Sequence, residues 1–223
     1  MLTLSSYHVA QTPAARATLT CVAGPSNIEC LGTLMLYARN TEIYGDKEQA
    51  AYIYQVVSGA VRTHKMLNDG RRQIGGFYFP GDIFGLEFDE HHEFSAEAIC
   101  CSTVTSIKRK LFCDASDDDG QVSAKLWSAT RRQLKQAEKH ALLLMLTAQE
   151  RIAAFLLEML ERSGHQSSFE LPMSRQDIAD YLGMTIETVS RTVTAFETAG
   201  TITMPSARCI VIRKYQALRA LDS

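Results

Sequence analysis

The feature that most constrains this chain is a change of texture near Gly120. Before it, short β-rich pieces are cut by glycine turns. Ala51–Val57 runs into Ser58-Gly59, Ala60–Leu67 into Asn68-Asp69-Gly70, and Arg71–Phe79 into Pro80-Gly81-Asp82; Glu93–Cys100 and Thr103–Arg109 follow. Short strands closed by Ser-Gly and Asp-Gly turns predict a sandwich or barrel rather than a βαβ sheet. After it, Gln121 to Ala148 has neither proline nor glycine and reads as one long helix. The acidic stretch Asp114–Asp119 sits where carboxylates suit the positive end of a helix dipole.

Along that helix Trp127, Thr130, Leu134, Ala137, Ala141, Leu144 and Ala148 alternate spacings of three and four. Such a narrow seam, with small alanines allowing close approach, predicts pairing with a second copy of the same helix. Leu142, Leu143, Met145 and Leu146 form a second apolar face, expected to dock on the β domain. A further helix, about Gln149 to Arg162, closes at Gly164. Phe169–Pro172 adds a strand.

Met173 to Thr203 carries the chemistry. Ser174 caps a helix through Asp177, Ile178, Ala179 and Leu182 give it a buried side, and Gly183 stops it. A second helix from Thr185 to about Ala199 turns Val189, Val193 and Phe196 inward. Two short helices joined around a glycine form a helix-turn-helix. On the outward face of the second helix, near its N-terminus, stand Glu187, Ser190 and Arg191. That is the part of a recognition helix that reaches base edges. Arg191 can donate two hydrogen bonds to guanine, Glu187 can accept from cytosine, and Ser190 is small enough for close approach. Thr201–Met204 and Cys209–Arg213 flank Pro205-Ser206-Ala207 as a hairpin, which makes the module a winged helix with Arg208 or Arg213 near phosphates.

Composition sets the limits around this module. The chain has 223 residues, 46% of them hydrophobic, and a formal net charge of −2, so it is globular and not polybasic. No run is long and apolar enough to span a bilayer, and Met1–Ala15 lacks a secretory pattern, which predicts a cytoplasmic protein without membrane contact. The six cysteines show no C-x2-C spacing and are expected to be reduced, buried and apolar. The histidines form no H-x-H or H-E-x-x-H site, and His91-His92 reads as a solvated acidic loop.

The segment from Met173 to Arg191 resembles the DNA-binding part of the CRP/FNR family of bacterial transcription regulators. The resemblance extends over nearly the whole chain past residue 30, with Gly81-Asp82-Ile83-Phe84-Gly85 similar to a turn of the family's β-roll. It implies an α+β fold: extension 1–30, β-roll (double-stranded β-helix or jelly roll) 31–120, dimerisation helix 121–148, winged helix-turn-helix 149–223. It also implies phosphate contacts by Ser174, Arg175, Gln176, Thr185 and Thr188. The E-x-x-S-R set resembles the FNR-type reader, with Ile186 where the cyclic-AMP branch has another arginine, implying a TTG-N8-CAA-like palindrome.

The sensor end departs from the cyclic-nucleotide pattern. Leu86-Glu87-Phe88-Asp89 follows Gly85, Glu93-Phe94-Ser95-Ala96-Glu97 stands where a phosphate-binding arginine belongs, and Asp89, Glu90 and Glu93 repel a phosphate. The iron–sulfur pattern fails as well, because only Cys21 and Cys30 lie near the front. What remains resembles the FixK branch. It implies a regulator with no cofactor, an activator of microaerobic, nitrogen-fixation or denitrification genes, whose partners are double-stranded DNA, RNA polymerase and its own second copy. The alternatives are redox or gas sensing through a cluster, haem or a reactive thiol such as Cys209 beside the wing, and, from another class, a cupin-like metalloenzyme.

Overall fold

The computed structural model describes residues 32–87, 89–111, 120–165 and 167–221. The expected extension 1–30, the acidic stretch Asp114–Asp119, and Cys21, Cys30 and Cys113 lie outside the described residues.

Eight strands form the N-terminal half: β1 (Gly32–Tyr37), β2 (Glu42–Tyr44), β3 (Tyr52–Ser58), β4 (Val61–Met66), β5 (Arg72–Tyr78), β6 (Ile83–Phe84), β7 (Ser95–Ala98) and β8 (Ser102–Lys108). They make two antiparallel four-stranded sheets, ordered β1-β8-β3-β6 and β2-β7-β4-β5. Tyr37, Tyr54, Val56, Phe84 and Val104 from the first meet Tyr44, Val61, Ala96 and Ala98 from the second in one shared core. This is the expected β-roll. The Ser58-Gly59 turn forces its glycine: Gly59 has φ +84°, and a Cβ there would lie 2.3 Å from the Ser102 hydroxyl oxygen, which bonds both backbone groups of Ala60. β2 and β6, three and two residues long, are too short to show a period in sequence.

Helix α1 (Gly120–Leu143) lies along the first sheet. Leu126 and Ala129 pack on Ile53, Ile83 and Ile107, while the Gln133 side chain donates to the Ile83 carbonyl at 2.9 Å. The opposite side carries Trp127 and Leu134, 67% and 61% exposed. The helix ends five residues before the expected Ala148. Thr147 and Glu150 form a capping box that starts a new helix, α2 (Ala148–Ser163). Arg151 takes the carbonyls of Leu144 and Leu146, which the break leaves without helical partners. Leu144 therefore sits on the corner and Ala148 in the first turn of α2, both off the expected seam. The second apolar face also divides: Leu143 is buried, but Leu142 and Met145 point outward.

The remaining elements are β9 (Ser168–Glu170), α3 (Arg175–Leu182), α4 (Ile186–Thr198), β10 (Ile202–Thr203), β11 (Cys209–Ile212) and α5 (Tyr215–Arg219). β10, β11 and β9 form a small antiparallel sheet, the wing. This half is fused to the roll, because one apolar cluster runs from Ala60, Ile74, Phe77 and Ile99 through α2 into α3 and α4. At its centre the rings of Phe77, Phe155 and Tyr181 lie 5.1 to 6.3 Å apart, and His140 of α1 stacks on Tyr181 at 4.3 Å.

The cysteines differ from expectation. Cys100 and Cys101 lie in the turn before β8 rather than on a strand; Cys101 is exposed, and Cys100 and Cys209 are half-buried thiols. No helix among the described residues is long and apolar enough to cross a membrane.

Because Phe155 is fully buried where three elements meet, Phe155→Ala is expected to cost about 3–5 kcal/mol of stability. Chemical denaturation of the full chain checks this, and an unchanged midpoint would show that the ring cluster does not hold the halves together.

Candidate nucleic-acid interface

The reading unit is built from its caps. Ser174 opens α3: its hydroxyl accepts from the Asp177 amide at 3.1 Å and donates to the Asp177 carboxylate at 2.8 Å. The hydroxyl proton that a phosphate contact would use is thus committed to the helix start. Gly183 ends α3 at φ +63°, the left-handed geometry that glycine reaches without strain. Thr185 then caps α4, accepting from the Thr188 amide. Ile178, Ala179, Leu182, Val189, Val193 and Phe196 are all buried, so the opposite faces of both helices are left to solvent.

On those faces the structure brings the expected residues together. Arg175, Gln176, Thr185, Glu187 and Arg191 are exposed, with Thr188 and Ser190 half-buried among them. The Arg175 guanidinium donates to the Ser190 hydroxyl at 3.3 Å and to the Met204 sulfur at 3.8 Å, spanning both helices and the wing. Gln176 donates to Asp180 at 2.6 Å. The Glu187 carboxyl is held below its ordinary value by its own backbone amide, then by Thr185, with Arg191 adding to the effect. It is therefore an ionised acceptor at neutral pH. Arg191 has no hydrogen bond or ion pair among the described residues, so its donors face outward.

In the wing, Ile210 and Ile212 face inward, which turns Cys209 and Val211 toward the other side. Arg213 donates to the Thr203 hydroxyl across the hairpin. Arg208 is exposed.

Three contacts that mount this unit escaped the sequence reading. Asp177 does more than cap α3, because its carboxylate also receives Arg62 of β4 and Arg72 of β5. Burial alone would raise that carboxyl; the amide and hydroxyl of Ser174 and the two guanidiniums outweigh it and hold it below its ordinary value. Asp82 of the Gly81-Asp82 turn grips Arg132 of α1 and Arg162 of α2. Arg151 reaches the carbonyl of Leu182 at the end of α3 as well as those at the α1–α2 corner. The only sequence signal was a charged residue inside an otherwise buried strand run, Val61-Arg62-Thr63.

Rings pack against one another inside the roll: Tyr44 stacks on His92 at 3.6 Å, and Tyr54 on Phe84 at 5.2 Å. His92 is thus buried rather than part of a solvated loop, and of this pair only His91 is exposed. Phe94 lies against β5; a Cβ on Gly75 would come within 2.9 Å of its ring.

A model of the Crp-like helix-turn-helix domain matches residues 150–221, and one of the cyclic nucleotide-binding domain matches residues 34–119. The nitrogen fixation regulation protein FixK of Azorhizobium caulinodans is 47% identical over 202 residues, covering 88% of this chain and 82% of that protein. FixK of Rhizobium meliloti is 41% identical over 199 residues, covering 89% and 91% respectively. Among solved structures, FixK2 from Bradyrhizobium japonicum superposes with a TM-score of 0.81 at 50% identity, covering 86% of this chain and 98% of that one. These relatives are regulatory proteins rather than enzymes. Roll, long helix and winged helix-turn-helix in this order, with relatives matched over most of their length, place the chain in the CRP/FNR family of DNA-binding transcription regulators, where it resembles the FixK branch.

Proposed function

We propose that this chain works as a cytoplasmic homodimer that binds a TTG-N8-CAA-like palindrome without a cyclic nucleotide and recruits RNA polymerase. The observation that carries the reading is the cluster of Glu187, Ser190 and Arg191 on one outward face at the start of α4. Arg191 pairs with guanine, Glu187 accepts from cytosine, and Ser190 keeps the approach close. Arg175, Gln176, Thr185 and Thr188 surround them as phosphate contacts, which set register without reading sequence. Ser174 serves indirectly, by fixing the first turn of α3.

Pairing follows from α1. Trp127, Leu134, Ala137 and Ala141 lie exposed along the side that faces away from the roll, with Thr130 half-buried beside them. A second copy packed on this side sets the two recognition helices about one duplex turn apart, roughly 34 Å, so that each enters a successive major groove. The rings packed inside the roll support activity without an effector in that space. The FixK relatives support nitrogen fixation as the controlled process, together with microaerobic or denitrifying respiration.

Arg191→Ala is expected to cost about 1–3 kcal/mol per half-site and to relax selectivity at the guanine. Titration of matched and scrambled duplexes checks this; equal losses on both would remove Arg191 from base reading. Leu134→Glu places a charge on the seam and is expected to give monomers in sedimentation, whereas an unchanged dimer would refute this interface. Selection from a random DNA pool, with protein and no added ligand, is expected to enrich TTG-N8-CAA-like sites. Enrichment only when a cyclic nucleotide is supplied would overturn the effector-free reading.

A further inference from the structure

The DNA-reading half is tied to the roll by charges that the family's reading residues do not involve. Arg62 Nη1 meets Asp177 Oδ1 at 2.9 Å, and Arg62 Nη2 meets Glu97 of β7 at 2.9 Å. Arg72 Nη2 meets the same Asp177 oxygen at 2.6 Å, and Arg72 Nε meets Asp180 Oδ2 at 2.7 Å. Asp177 is 2% exposed and Arg62 7%. The two arginines are more than a hundred residues in sequence from Asp177 and Asp180, so these bonds join two halves of the fold rather than neighbouring turns.

We propose that Arg62 and Arg72 are positioning residues for DNA reading: they clamp α3 against the roll and so hold the two recognition helices of a pair at the separation that successive major grooves require. The inference rests on the paired reading proposed above.

The geometry favours a clamp over a loose electrostatic contact. Asp177 and Asp180 lie three residues apart, hence on one side of α3. The planar Arg72 fork spans both carboxylates, which fixes the rotation of α3 about its axis as well as its distance from β5. Glu97 takes the second terminal nitrogen of the Arg62 guanidinium, so the position of that group is set by the roll. Removing one partner from such a buried set leaves uncompensated charge, so the docked arrangement has few intermediate alternatives. The clamp also touches the reading face. Asp180 Oδ1 receives Gln176 while Oδ2 receives Arg72, so one carboxylate orients a phosphate-facing side chain and anchors the helix that bears it. A dimer gains affinity from its second reading head only when both can engage together. Losing the clamp therefore lowers the effective concentration of the second head while leaving each head's own contacts in place.

The test uses the full chain and three duplexes: a single half-site, the palindrome, and a palindrome with a lengthened centre. Arg72→Gln is expected to lose about tenfold in affinity for the palindrome, in the range of couplings between linked sites. It is expected to bind the half-site as the parent does and to discriminate less between the two centres. Arg72→Lys keeps the charge and is expected to recover part of the preference. An Arg72→Gln protein that keeps the parental spacing preference overturns the clamp. So does an equal loss on all three duplexes, which would mark a general charge or folding effect. If the parent itself shows no preference for palindrome over half-site, the paired reading fails, and the clamp with it.

Discussion

Much of this molecule depends on the Asp177 carboxylate. Its oxygens take the amide and hydroxyl of Ser174 at the start of α3 and two guanidiniums from the roll, so one buried group both begins a helix and fastens it. Charge-assisted bonds of this kind are short and directional, whereas apolar contacts tolerate sliding. The group is 2% exposed, and away from water those charges count for more. Apolar burial supplies the bulk of the attraction between the halves; the ionic set specifies one arrangement among many that burial alone would allow.

The helix-turn-helix was legible because its signals are local. Ser174 with Asp177, Gly183, and the spacing of Val189, Val193 and Phe196 each depend on residues within a turn or two, and the structure has them where that chemistry requires. The roll was legible through its glycine turns, though not its shortest strands. The break between the two long helices was legible but was read at Ala148–Gln149, whereas the first helix ends at Leu143 and a corner at residues 144–147 precedes the Thr147–Glu150 box. What stops α1 is a third residue, Arg151, whose role appears only once the chain has folded back. The partners of Arg62 and Arg72 were invisible for the same reason: a charge in a strand gives no hint of a carboxylate over a hundred positions away. The helix-turn-helix was thus written in neighbouring residues, and its mounting in distant ones.

The weak net charge acquires a different sense against this background. From Leu171 to Ser223 there are six Lys and Arg (Arg175, Arg191, Arg208, Arg213, Lys214, Arg219) against five Asp and Glu (Asp177, Asp180, Glu187, Glu197, Asp222), a balance of +1. Two of those acids face the roll and are neutralised there, so the balance presented to solvent is more positive than the sum suggests. On the reading proposed above, nonspecific affinity for a polyanion is modest and discrimination falls on a few base-edge contacts.

The chain has a single tryptophan, and it is Trp127, two-thirds exposed on the side of α1 that faces away from the roll. Any event that covers that side moves the one indole of the protein from water into an apolar contact. Its emission then shifts to shorter wavelength, with no other indole to blur the change. The fold thus carries a built-in optical probe on α1, with no label attached.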